Sequence, residues 1–140
     1  MDESGLWPLV LLVEDYRDAR EMYAEYLRFS GFRVAEAFDG LDALEKADAL
    51  VPDVILMDLA LPRMDGWEVT RRLKRSARTC QIPVVALTGH AFAGHAETAR
   101  QAGCASFVTK PCLPDALVNE IRRVLALRGA EVARYRGSNA

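Results

Sequence analysis

The chain has 140 residues, with 51% hydrophobic and 27% charged residues and a formal net charge of -2. That length suits one domain able to bury its own core, and the balance is globular rather than disordered. No basic excess marks a nucleic-acid footprint, and three cysteines (Cys80, Cys104, Cys112), odd in number and without a CxxC pair, exclude a disulfide framework and a zinc site.

Met1–Trp7 forms a short polar lead. The apolar stretch Leu6–Val13 is broken by Pro8 and closed by Glu14-Asp15, so it is too short to span a bilayer. It also lacks the basic flank and cleavage site of an export signal. With free thiols, this leads us to expect a cytoplasmic chain that makes no membrane contact. Within the stretch, Leu9–Val13 is continuously apolar and predicts a strand buried on both faces. Arg17–Ser30 sets Ala19, Met22, Tyr23, Tyr26 and Leu27 at helical spacing, and Gly31 ends that helix. Phe32–Ala37 predicts a second strand. Leu41–Leu50 predicts a helix with Leu41 and Leu44 facing inward, closed by Pro52. Val54–Met57 is a third buried strand running into Asp58. Gly66–Ser76 is a third helix presenting Val69 and Leu73. Pro83–Leu87 is a fourth strand ending at Thr88-Gly89. Gly94–Ala102 is a short fourth helix stopped by Gly103. Ala105–Thr109 is the fifth strand. Asp115–Leu127 is the last helix, with Leu117, Ile121, Val124 and Leu125 along one stripe. Gly129–Ala140, mostly small and polar, reads as a frayed tail or the start of a linker.

Five strand–helix units in strict alternation imply an α/β fold: a parallel sheet with right-handed crossovers and helices on both faces. Ligands of such sheets bind at the carboxyl ends of the strands. Strand one ends in Glu14-Asp15, strand three in Asp58, strand four in Thr88 and strand five in Lys110. Carboxylates gathered in one crevice repel each other, and a hard divalent cation removes the conflict. All-oxygen ligands suit Mg2+. Cation, ammonium and hydroxyl together match a phosphoryl group whose charge spreads over three oxygens. One carboxylate is then the nucleophile, and Asp58, alone on the central strand, is the candidate. Asp39, Asp65 and Asp115 read as turn or cap residues instead.

Four segments together resemble the receiver domains of response regulators in bacterial two-component signalling, of the single-domain, chemotaxis-response-regulator-like kind. They are Leu11-Leu12-Val13-Glu14-Asp15, Asp58 to Gly66, Leu87-Thr88-Gly89 and Phe107-Val108-Thr109-Lys110-Pro111. The likeness spans Pro8 to Leu127 and implies a flavodoxin-like, doubly wound five-stranded parallel sheet of order 2-1-3-4-5 with five helices. It divides the chain into a lead over 1–7, a receiver domain over 8–128 and a flexible tail over 129–140. It further implies that Asp58 is the phosphoacceptor. Mg2+, with Mn2+ as a substitute, would be held by Asp15, Asp58 and the backbone carbonyl of Ala60, and by Glu14 through water. Thr88 and Lys110 would bind phosphoryl oxygens. Lys110-Pro111 would be a cis peptide. Thr88 and Phe107 would form the switch, although Phe107 lacks the hydroxyl of a tyrosine. Glu14 departs from the more usual aspartate, and Gly89 from the more usual alanine.

The resulting expectation is a signalling switch rather than an enzyme. A phosphohistidine of a sensor histidine kinase, or a phosphotransfer protein, would donate to Asp58. The face of the fourth helix, fifth strand and fifth helix would then be reshaped for a downstream effector or a homodimer. Ala60 and His90 supply no acid or amide to orient water, which predicts slow self-dephosphorylation. Two alternatives stand beside this. One is a phosphorylation-independent receiver-fold interaction module. The other is a Mg2+-dependent aspartyl-nucleophile phosphatase, which would want a second carboxylate where Ala60 stands. Direct nucleic-acid binding is not expected, since Arg122, Arg123 and Arg128 suit a solvated helix face.

Overall fold

Side chains on a strand alternate between its two faces, so a run that is apolar throughout must be covered on both. A computed structural model of the chain describes residues 6–89, 97, 100–110 and 112–138, with the backbone alone for 130–138. The elements are β1 (Leu9–Val13), α1 (Arg17–Phe29), β2 (Arg33–Ala37), α2 (Gly40–Leu50), β3 (Val54–Asp58), α3 (Gly66–Arg75) and β4 (Val84–Thr88). A fourth helix, α4, is expected over Gly94–Ala102. It lies mostly outside the described residues, but 100–102 are helical. β5 (Ser106–Thr109) and α5 (Pro114–Ser138) complete the chain.

The strands form one parallel sheet of order β2-β1-β3-β4-β5, the flavodoxin-like order. Leu11, Val13, Ile55, Met57, Val84 and Ala86 face one way, under Ala43 and Ala47 of α2 and Val69 and Leu73 of α3. Val10, Leu12, Val54, Leu56, Val85 and Leu87 face the other, under Tyr23 and Leu27 of α1 and Leu117, Ile121 and Val124 of α5. Apart from Leu9, which is half-buried, each residue of the central strands β1, β3 and β4 is thereby buried.

Three details differ from expectation. The inner face of α2 is Gly40, Ala43 and Ala47, while Leu41 is 61% exposed and Leu44 only half-buried. The helix lies too close to α3 for leucines: a Cβ on Gly40 would sit 2.8 Å from Val69 Cγ2. On α1, Ala24 is buried and Met22 is exposed, which turns the buried stripe by part of a turn. Finally, α5 continues past Leu127 to Ser138 where a frayed tail is expected. Ala126, Leu127, Ala130, Glu131, Ala133 and Arg134 are good helix formers, and one interior Gly129 costs only about 1 kcal/mol against them. Among the described residues no helix is long and apolar enough to cross a membrane, and Cys80, Cys104 and Cys112 are free.

Candidate functional site

Strand register sets the carboxyl ends level. Val13 lies opposite Met57, Asp58 opposite Leu87, and Thr88 opposite Thr109. The ladder runs one step further, since the N–H of Leu59 donates to Leu87 O at 3.0 Å and that of Lys110 to Thr88 O at 2.6 Å. Glu14, Asp58, Thr88 and Lys110 therefore share one edge of the sheet.

Their side chains meet there. Lys110 Nζ donates to Glu14 Oε2 at 3.0 Å and lies 3.2 Å from Asp58 Oδ2. The second oxygen of each acid is also held: Asp58 Oδ1 accepts the Ala60 N–H at 3.0 Å, and Glu14 Oε1 accepts the Tyr16 N–H at 3.3 Å. Glu14 is 2% exposed and Asp58 3%, whereas Asp15 beside them is open to solvent. One carboxylate oxygen from each of Glu14, Asp15 and Asp58 lies within 4.8 Å of the others. Thr88 is buried at the end of β4.

Burial raises the pKa of Glu14 above its ordinary value; the Lys110 hydrogen bond pulls it back, and the Asp58 charge adds to the rise. For Lys110, burial disfavours the ammonium, yet the hydrogen bond with Glu14 and the charge of Asp58 outweigh it and hold its pKa above the usual value. The ammonium is thus charged at neutral pH.

Three carboxylates gather here while, among the described residues, one ammonium pairs with two of them, so the cluster is short of positive charge. Its donors are all oxygen, which is the set a small hard divalent cation takes. The residues present therefore fit Mg2+, with Asp15 offering the solvent-facing ligand atom.

Phe107 belongs to neither core cluster and is 40% exposed on β5, so it is not an ordinary core aromatic. Asp39 and Asp65 cap α2 and α3, accepting the N–H of Asp42 at 2.8 Å and of Glu68 at 2.9 Å, while Asp115 accepts the Ala116 N–H at 2.9 Å. Pro111, half of the expected cis peptide, and His90 lie outside the described residues.

Two contributors were not legible from strand ends. Gly66, expected as the first residue of the third helix, packs its Cα against the acceptor strand: a Cβ there would sit 2.6 Å from the Asp58 carbonyl oxygen and 2.8 Å from Leu59 Cα. The Asp-Gly pair opening α3 was the available signal. Arg20 donates from Nη1 to the Glu14 carbonyl at 2.9 Å; on a helix of mixed charges nothing in the sequence singles it out.

Comparison with known proteins bears on the family and the fold. The family model described as the response regulator receiver domain matches residues 10–122. The polar-differentiation response regulator DivK of Brucella ovis is 35% identical over 116 residues, covering 83% of this chain and 94% of that protein. Among solved structures, the chemotaxis protein CheY4 of Vibrio cholerae is similar at a TM-score of 0.81 and 29% identity, covering 84% of this chain and 98% of that one. The receiver domain of the sensor histidine kinase PA1611 of Pseudomonas aeruginosa is similar at a TM-score of 0.79 and 32% identity, covering 86% and 98%; its active-site cleft coordinates a magnesium ion.

Proposed function

The chain belongs to the response regulator receiver domain family, and from that premise we propose that it is a switch set by phosphorylation of Asp58. The observation that carries this reading is the Lys110 ammonium held between Glu14 and Asp58, beside a cluster of three carboxylates. A scaffold that only docked partners would have no use for so much buried charge at a strand edge.

The donor is a phosphohistidine of a sensor kinase or phosphotransfer protein. An Asp58 carboxylate oxygen forms a bond to phosphorus as the phosphorus–nitrogen bond breaks. The electron pair stays on the imidazole, which takes up a proton. Asp58 enters this step fixed, its two oxygens held by the Ala60 N–H and by Lys110. Lys110 then turns its ammonium to one phosphoryl oxygen and Thr88 its hydroxyl to another. Mg2+, for which Mn2+ substitutes, would be held by Asp15, Asp58 and the Ala60 carbonyl and, through water, by Glu14; it supplies charge stabilisation at the transferred group. The Mg2+ ion in the related PA1611 domain supports that assignment. Inward movement of Thr88 lets the exposed Phe107 ring turn in, reshaping the α4, β5 and α5 face for an effector or a second copy. Ala60 offers no group to orient water, so the acyl phosphate decays slowly.

The test is direct. Wild-type protein, a phosphorylated kinase and Mg2+ should give an intact-mass shift of one phosphoryl group; Asp58→Asn should give none, and chelation should remove it from the wild type. Labelling of Asp58→Asn at the wild-type level, or labelling undiminished by a chelator, would overturn the reading.

A further inference from the structure

Helix α1 begins without help from a capping side chain. Its N-cap is Tyr16, which makes no side-chain cap hydrogen bond, whereas Asp39 and Asp65 cap α2 and α3. Yet the turn leading into α1 is the one that carries both Glu14 and Asp15, and an uncapped turn is the easiest to distort. Something else must hold it.

The holding contacts all converge on Glu14. Its N–H donates to Ala37 O at 3.1 Å, and its two carboxylate oxygens are taken by Tyr16 N–H and Lys110. The carbonyl is taken by Arg20, whose guanidinium folds back from the first turn of α1 to reach it at 2.9 Å. Arg20 is itself anchored. Its Nε lies 3.4 Å from Glu36 Oε1 on β2, and Glu36 is braced in turn by Arg28 at 3.4 Å. The Arg20 side chain is 18% exposed, so this is a packed strut rather than a loose surface contact. A guanidinium is suited to it, since its fork donates in two directions at once.

We propose that Arg20 is a positioning residue for the metal site: by fixing the Glu14 carbonyl against β2 it sets the turn so that Glu14, Asp15 and Asp58 converge. The inference rests on the functional reading above and deepens it. It also carries a sign that a simple charge argument does not. As a nearby positive charge, Arg20 should repel a cation, and its removal should tighten Mg2+ binding. As a strut, its removal should loosen the ligands and weaken binding.

The experiment titrates Mg2+ alone into wild type, Arg20→Met and Arg20→Lys, following the amide resonances of Asp15 and Asp58, with hydrogen exchange at the Tyr16 amide as a second readout. We expect Kd to rise about 10-fold in Arg20→Met, the scale of losing an outer support of a metal ligand. Tyr16 should exchange faster, and saturating Mg2+ should restore the phosphorylation rate. Arg20→Lys, which keeps the charge but not the fork that reaches Glu14 and Glu36 together, should recover part of the loss. An unchanged or lower Kd in Arg20→Met overturns the proposal. If Arg20→Met fails to fold, an unaltered Kd in the folded Arg20→Lys does so instead. A wild type that binds no Mg2+ and takes no phosphoryl group would sink the functional reading itself, a result separate from either.

Discussion

Two sets of ion pairs in this protein set carboxylates against basic side chains in opposite settings. At the strand ends, Lys110 reaches Glu14 and Asp58, both almost wholly buried. On the helix surfaces, Arg17 pairs with Glu21 and Arg72 with Glu68, with side chains a third to three quarters exposed. Water screens the second set, and its members can part at little cost. The first set is held by sheet register, which keeps two carboxylates near one another whether or not the arrangement is stable. Charge concentrated where the fold must support it marks the working edge; charge spread over helices marks a solvated face.

The sharpest break of that contrast is Lys110→Ala. It leaves Glu14 and Asp58 buried without a shared cation, so the metal-free protein should melt earlier, and Mg2+ should restore part of the loss. Phosphorylation should slow about 100-fold, the scale of removing one charge-stabilising donor. A kinase-transfer time course at saturating Mg2+ measures it, and a rate within twofold of wild type would contradict a role at the phosphoryl group. Next comes Gly66→Ala. The added Cβ meets backbone on two sides, and neither the Asp58 carbonyl nor Leu59 Cα can swing away as a flexible side chain would. We expect a loss of roughly 1–3 kcal/mol in urea unfolding, with slower phosphorylation of the fraction that remains folded. A full-stability variant would show that the turn yields more easily than its contacts imply.

These contacts also show what the sequence could tell. The five strands and the polar residues ending four of them were legible, because the central strands are apolar nearly throughout and the site lies where those runs stop. Among the described residues, strand ends and helix limits agree to about one residue except at the end of α5, and the expected start of α4 lies outside them. What stayed hidden depends on distance between elements. The inward face of α2 turns on how near α3 approaches, which makes Ala43 and Ala47 core residues and leaves Leu41 outside. Arg20 matters through a carbonyl six residues back, and no side-chain pattern records a backbone partner.

Glu14 sharpens the comparison by way of pH. Its pKa is raised in the folded protein, so folded Glu14 holds a proton more tightly than unfolded Glu14 does. Its contribution to stability is complete below the ordinary value and is lost as pH rises through the raised folded value. Metal-free wild type should therefore lose stability across that window, and Mg2+ affinity should fall as pH drops through it, above the range of an ordinary carboxylate. Glu14→Gln removes the titrating group. At neutral pH its metal-free form should melt about 3 °C higher than wild type, with a smaller upward shift on adding Mg2+. Melting curves with and without Mg2+ from pH 4 to pH 8 check both signs; a variant less stable than wild type at neutral pH would mean that the Lys110 hydrogen bond outweighs the burial of the charge.

The smallest effect belongs to the surface set, and Arg72→Ala tests it. Arg72 Nε donates to Glu68 Oε1 at 3.1 Å, one helical turn away on α3, and this bond lowers the Glu68 pKa. A lowered carboxylate stabilises the fold above its unfolded value and loses that share as pH falls through the folded one. The share here is small, because both groups stand in water. Glu68 keeps Arg71 at 3.6 Å, and alanine is the better helix former at an exposed position. Arg72→Ala should thus move the Glu68 titration, read from its carboxylate resonance, back toward the ordinary value while the melting midpoint stays within scan error. A fall in melting temperature as large as that of Lys110→Ala would erase the distinction between the two sets, for it would mean that an exposed pair carries as much of the fold as the buried one.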